Sequence, residues 1–522
     1  MTGRKKATSR SGRTCAFEQL ESRHMLSAAN LTEIFAQPGV APAATGGAVP
    51  YTPAEIRHAY AFDQLGSFRN GAPANGSGQT IAIVDAYDQP NIVSDLHNFD
   101  LQYGLPDPPS FRKVNQTGGS TLPSPDVPGG WGLEISLDVE WAHAIAPGAN
   151  ILLVEAASSN LNDLLTAVNY AAAQPGVSVV SMSWGISEFP QETSLDSYFT
   201  TPAGHSGVSF VAATGDNSAP AIWPAASPNV VSVGGTSLRT VGAADSYWME
   251  NGWMLGGGGY SLYESRPSYQ SAVDRTRFRA TPDVAYEADP RTGYWVYDSY
   301  DASAVGNGSA WMDIGGTSAG TPQWAAILAI ANQGRAAEGQ QPLLAAPADI
   351  YQLPGTDFHD IATGYNGFPA LPGYDLVTGR GTPYANRIIT DLLGAKVTAT
   401  EKAARLASAH GQSLPSLKAF ASRKAVRADS DSMASDAVSN PTDNSPAIGI
   451  AIVATSNESA ETYTDPGTSP CLVESPDQAE DATASVVLPP DTAASLTTLE
   501  PPLGDDSFGQ QGVDLQSSAD VG

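Results

Sequence analysis

Short runs of β-branched and aliphatic residues alternate with longer stretches of helical periodicity through the middle of the chain. Thr80-Ile-Ala-Ile-Val-Asp85, Ile151-Leu-Leu-Val-Glu155, Val177-Ser-Val-Val-Ser-Met-Ser183 and Val208-Ser-Phe-Val-Ala-Ala213 each predict a short buried strand. Between them, the pattern from Leu133 to Ala146 and from Leu161 to Ala173 predicts helices. An earlier helix is announced at Tyr51, with Thr52 as N-cap, Pro53 in the first turn and Glu55 three residues after the cap. Strands alternating with helices predict an α/β fold whose mostly parallel central sheet is covered on both faces. A ligand crevice is then expected at the carboxyl ends of the strands.

This texture begins at Tyr51 and decays after about Leu393, which divides the chain into residues 1–50, 51–395 and 396–522. The first part opens with a basic stretch, Arg4, Lys5, Lys6, Arg10, Arg13 and Arg23 against Glu18 and Glu21. It lacks the apolar core of an ordinary signal peptide. Its Phe17-Glu-Gln-Leu-Glu-Ser-Arg-His-Met-Leu-Ser-Ala28 run resembles a short N-terminal segment of some bacterial exported surface proteins. That implies a secreted or cell-surface protein with an export leader and a short pro-segment. In the last part, Lys402 to Arg427 is a mixed basic linker, and no Lys or Arg occurs from Ala428 to Gly522. Low hydrophobicity with one sign of charge cannot offset chain entropy, so this tail is expected to be disordered.

Charge changes the picture of partners. Lys and Arg number 26 against 54 Asp and Glu, a formal charge of −28 over 522 residues, which argues against nucleic acid because phosphate binding needs basic patches. It suits a protein working outside the cell or in acid. The two cysteines, Cys15 and Cys471, fall in the two tails, so no disulfide framework holds the core and a metal could serve instead. No run is long and apolar enough for a transmembrane helix; Pro446 to Ala454 comes nearest and is too short. A monomer is expected.

The candidate chemistry starts at Gly315-Gly-Thr-Ser-Ala-Gly-Thr-Pro322, where a serine sits on a glycine-rich turn that opens an apolar helix. Such a turn exposes Ser318 Oγ, and the helix N-terminus favours developing negative charge. An ordinary Ser-capped helix is the alternative. A serine hydroxyl needs a base. Glu134 and Asp138 stand four apart among Leu133, Leu137, Trp141 and Ile145, which puts both carboxylates on one face of a helix packed close to the core. A solvated acidic face is the competing reading. Asp216, where an apolar strand ends at Gly215, could donate from a protonated carboxyl to an oxyanion, or simply make an Asx-turn.

Glu134, Asp138, Asp216 and Ser318, in this order and with their local motifs, resemble the Glu, Asp, Asp and Ser of the sedolisin family of serine-carboxyl peptidases. Ile81-Ala-Ile-Val-Asp-Ala-Tyr-Asp88, Ser181-Met-Ser-Trp-Gly185 and Pro282-Asp-Val-Ala285 extend the likeness over about Tyr51 to Leu393. The resemblance implies a three-layer subtilisin-like fold and endopeptidase action on protein or peptide substrates at acidic pH. Glu134 would be the base for Ser318, Asp138 would orient Glu134, and Asp216 would hold the oxyanion. Ser183, Trp184, Gly185, Gly257 and Gly258 would line the substrate backbone. It also implies one calcium ion, held by the carboxylates of Asp360 and Asp375 and the carbonyls of Ile361, Leu371 and Gly373. Leu371 stands where the family often has glycine. Family members usually carry a long prodomain, so either folding here dispenses with one or the leader takes part of that role. Two rivals remain at this stage. A subtilisin-type protease needs a histidine base, and His143 lies in an apolar Trp-Ala-His-Ala-Ile setting that suits a structural role. A silent surface adhesion or binding protein on the same scaffold would not need all four positions filled.

Overall fold

The computed structural model describes residues 49–394 apart from 129, 243–245 and 305–308, together with the backbone of two short strands, Gln37–Pro38 and Ala41–Pro42. The expected tail, the basic leader and both cysteines lie outside the described residues.

Eight strands make the central sheet: β1 (Thr80–Ala86), β2 (Phe111–Asn115), β3 (Asn150–Ala156), β4 (Val177–Met182), β5 (Ser209–Ala213), β6 (Val230–Val241), β7 (Ser246–Gly252) and β8 (Val284–Glu287). Their order is β7-β6-β5-β4-β1-β3-β2, with β8 also paired to β6. Every pairing is parallel except β6 with β7. The register sets Leu153, Ile83, Ser181 and Val211 in one row across the middle of the sheet.

Alternate residues of each strand feed two separate cores. Ile81 and Ile83 pack on one face with helices α1 (Ile92–Tyr103), α2 (Trp131–Ile145) and α4 (Thr317–Ala337). Ala82 and Val84 pack on the other with α3 (Leu161–Ala172). This is why the strands read as unbroken apolar runs: both faces of a parallel sheet are dry. The capping box at Thr52 and Glu55 forms as expected and starts the helix Pro53–Ala59. The remaining differences are at element ends: Ser183 and Val208 fall outside β4 and β5, and Ala146 and Ala173 cap their helices.

Candidate active site

Three neighbouring strands deliver side chains to one crevice at their carboxyl ends. Asp85 is the penultimate residue of β1, Ser183 follows β4 directly, and Asp216 lies three residues beyond β5. Two helices complete the site. All fifteen residues of α2 are buried, so Glu134 in its first turn and Asp138 one turn later are not on a solvated face. Ser318 is the second residue of α4, whose N-cap Gly316 adopts φ 120°, a conformation that favours glycine.

Asp138 Oδ1 accepts a hydrogen bond from Ser183 Oγ at 2.8 Å. The Ser318 hydroxyl lies 3.4 Å from the Ser183 carbonyl. Neither Glu134 oxygen has a hydrogen bond of regular geometry among the described residues, and the Ser318 hydroxyl is the donor that faces it. Burial pushes the Glu134 carboxyl well above the usual range, and the nearby Asp138 and Asp85 push it further. Burial does the same to Asp138, again with Asp85 adding to it and the Ser183 hydrogen bond opposing. Asp85 is fully buried, has no hydrogen-bond partner among the described residues and is pushed by burial to about 7. Three carboxyls in one dry pocket cannot all ionise, so they hold their protons as a set.

Asp216 is arranged differently. Its Oδ1 accepts from Thr317 N at 2.8 Å and from Thr317 Oγ1 at 2.9 Å, while its Oδ2 is shielded and unpartnered. Thr317 Oγ1 also accepts from Gly215 N at 3.0 Å, tying the strand end to the start of α4. Burial raises Asp216 to about 7 even though both Thr317 bonds favour its charge. A carboxyl protonated near neutrality, one residue from Ser318 and with one oxygen free, is able to donate a hydrogen bond.

Asp85 and Thr317 were not singled out from the sequence. The signal for Asp85 is an acid closing a wholly apolar strand at its carboxyl end; Thr317 carried none beyond its place beside Ser318. Conversely, His143 is buried against the Pro106 carbonyl (2.7 Å) and Asp100 (3.3 Å), a structural setting.

Of the five backbone candidates, Trp184 and Gly185 lie on the strand Trp184–Ser187, with Ser183 just before it. Trp184 Nε1 donates to the Val84 carbonyl. A side chain at Gly185 would meet Ile222 Cδ1 at 2.3 Å. Gly257 donates to the Gly215 carbonyl at 2.7 Å and leaves no room for a Cβ, which would sit 1.8 Å from the Thr214 carbonyl oxygen. Gly258 is as tight against the Leu376 carbonyl. Both glycines therefore press on the strand end that carries Asp216.

The five expected calcium ligands are brought together. Gly373 N donates to both Asp360 oxygens (2.9 and 3.0 Å), and Leu371 N donates to Asp375 Oδ2 at 2.9 Å. Among the described residues the carbonyls of Ile361, Leu371 and Gly373 accept no hydrogen bond. No group of three or more His, Cys, Asp or Glu suited to a metal occurs among the described residues, so a cation here would rest largely on carbonyl oxygens. Two carboxylates and free carbonyls form an all-oxygen set, which fits a hard cation such as calcium.

Comparison with known proteins was made on this basis. The subtilase family model matches residues 131–352. Kumamolisin from Bacillus sp. (strain MN-32) is 32% identical over 382 residues, covering 66% of this chain and 64% of that protein. Sedolisin from Pseudomonas sp. (strain 101) is 29% identical over 342 residues, covering 58% and 55% respectively. The chain thus spans less than two thirds of the length of either relative. Among solved structures, Pseudomonas sedolisin, a serine-carboxyl proteinase complexed with two molecules of pseudo-iodotyrostatin, superposes with a TM-score of 0.55 at 27% identity. That match covers 66% of this chain and 98% of the other. No described helix is long and apolar enough to cross a membrane.

Proposed function

The chain belongs to the sedolisin family of serine-carboxyl peptidases, and from that premise we propose that it cleaves peptide bonds through an acyl-enzyme on Ser318. The observation that carries this reading is the Ser318 hydroxyl facing the buried Glu134 carboxyl, with Asp138 and Asp85 behind it.

In the proposed reaction Glu134 takes the Ser318 proton as Oγ adds to the substrate carbonyl. The Asp138–Asp85 pair keeps one negative charge on the carboxyl set and holds Glu134 in place. The oxyanion that forms receives hydrogen bonds from the Ser318 N–H, which as a first-turn amide has no partner within its helix, and from protonated Asp216. Glu134 then protonates the departing amine, and water releases the acyl group. Two requirements place activity in acid: a carboxyl base works well below the range of an imidazole, and Asp216 donates only while protonated, below about pH 7. Substrate main chain would pair with the strand Trp184–Ser187, with Gly257 and Gly258 bracing the opposite wall. The oxygen set of Asp360, Ile361, Leu371, Gly373 and Asp375 would hold one calcium, which supplies a crosslink between two loops. Residues 51–395 act as the peptidase domain in this scheme, exported by the preceding leader.

The test is hydrolysis of a denatured protein from about pH 3 to about pH 8 by wild type and Ser318→Ala. Acid-peaked cleavage that disappears in the variant is expected. A folded, calcium-loaded protein that cleaves nothing at any pH would point instead to a binding protein on this scaffold.

A further inference from the structure

Two short strands from the region ahead of the catalytic domain lie on either side of the Ser318 crevice. Gln37 and Pro38 pair antiparallel with Gly185 and Trp184, the strand assigned above to substrate. Ala41 and Pro42 pair antiparallel with Gly315 and Ile314, on the strand that leads into Ser318. The directions of these pairings are informative. Advancing from Gln37 to Pro38 moves from Gly185 toward Ser183, whose carbonyl is 3.4 Å from Ser318 Oγ. Stepping back from Pro42 to Ala41 moves from Ile314 to Gly315, three residues short of Ser318. The register on both sides therefore brackets the nucleophile, and Ser318 is fully buried, as a residue roofed by a chain segment would be.

An extended chain that adds to one strand before a serine nucleophile and to another after it has the form of a peptide bound for cleavage. We propose that Gln37–Pro42 is an internal substrate: it fills the crevice, blocks external peptides, and is cut once by Ser318 in the two-residue link between Pro38 and Ala41. The inference rests on the peptidase reading. In the step, Ser318 Oγ bonds to the carbonyl carbon of the scissile residue and the C–N bond breaks. Glu134 passes the hydroxyl proton to the new amino terminus, and water then frees the leader as a carboxylic acid. Because the segment is tethered, its effective concentration is of millimolar order, enough to reduce cleavage of a dilute external peptide by about tenfold or more until it is cut. The same register assigns substrate positions: the residues on the amino side of the cut run along Trp184 and Gly185, and those on the carboxyl side along Gly315 and Ile314.

The experiment uses the full chain, purified at neutral pH and shifted to about pH 4, where Asp216 is protonated. Mass spectrometry follows the N-terminus while hydrolysis of a denatured protein is assayed in parallel. Wild type is expected to yield a new N-terminus at Gly39, Val40 or Ala41, at a rate unchanged by dilution, with external hydrolysis rising after a lag. Ser318→Ala should keep its leader. A synthetic peptide of residues 33–46 should be cut in the same link by processed wild type and untouched by Ser318→Ala. Wild type that digests the external protein from the start with its leader intact or cut elsewhere overturns this inference and leaves the peptidase reading standing. A processing rate that rises with concentration overturns the tethered cut. Failure to cleave the leader, the peptide or the external protein overturns both.

Discussion

Ser183 donates its hydroxyl hydrogen to Asp138 across 2.8 Å while its carbonyl lies 3.4 Å from the Ser318 hydroxyl. One residue therefore touches both the carboxyl behind the proposed base and the proposed nucleophile. Its hydroxyl lowers the Asp138 pKa against burial and so favours the charge that Glu134 needs behind it. Ser183→Ala is expected to lower kcat about tenfold, the effect of losing one buried hydrogen bond to a charged group, with KM little changed because the main chain that meets substrate is intact. Ser183→Thr, which keeps the hydroxyl, should recover most of the loss. A wild-type kcat in Ser183→Ala would remove this residue from the proton circuit.

Asp216 makes a sharper prediction about pH. Its carboxyl is raised to about 7, so it is a donor below that value and an acceptor-only carboxylate above it. Asp216→Ala should reduce kcat by roughly 10²–10³, the usual cost of one oxyanion donor. Asp216→Asn presents an N–H at every pH, so its activity should fall less steeply on the alkaline side than that of wild type. Parallel pH–kcat profiles for the two would show that another group sets that limb.

Much of this site is legible in the sequence because its parts sit where periodicity breaks. Glu134 and Asp138 stand out as acids on an otherwise apolar helix, and Ser318 as a serine between glycines. The four strands found early are those buried on both faces, where apolar runs are continuous. β2 and β6 were harder. β2 is an edge strand, Phe-Arg-Lys-Val-Asn, whose outer positions take charge. β6 carries Gly234 and Gly235 at its centre, which read as a turn. A Cβ at Gly234 would meet the Pro282 ring at 2.7 Å, and at Gly235 the Trp253 ring at 2.9 Å, so close packing explains both glycines. Asp85 escaped notice because its role depends on which strands become neighbours, and only the sheet order places β1 beside β4.

The buried acids also predict how stability depends on pH. Burial raises Asp85 and Asp216 to about 7, Glu264 to about 8 and Glu155 to about 9. Unfolded, these groups titrate near 4. Between the unfolded and folded values the folded chain binds more protons, so unfolding free energy falls as pH rises. The stabilisation is whole below about pH 4 and is lost progressively through pH 7 to 9. Asp289 runs the other way, lowered by its bonds to Arg291 and Ser237, but it is one group against several. Thermal unfolding of Ser318→Ala, which cannot digest itself, should give a higher Tm at about pH 4.5 than at about pH 8. The opposite order would mean these carboxyls ionise freely in the folded protein.

The calcium loop separates two kinds of aspartate. Asp375 accepts from the amides of Leu371, Val377 and Thr378, so it shapes its loop with or without a metal. Asp360 is exposed and bonded only to the Gly373 amide, so its charge matters chiefly to a cation. Saturating calcium should raise the Tm of Ser318→Ala by a few degrees over the same protein in chelator, since a ligand at about a hundred times its Kd adds about 2.7 kcal/mol. Adding Asp360→Asn should abolish most of that increment while leaving the chelator Tm near its parent value. Adding Asp375→Asn should lower the Tm even in chelator, because one Asp375 oxygen that accepts backbone hydrogens becomes an amide that cannot. If calcium leaves the parent Tm unchanged, the loop is held by its hydrogen bonds alone and the metal assignment fails. If Asp360→Asn instead lowers the chelator Tm as much as Asp375→Asn, its carboxylate works through Gly373 rather than through an ion.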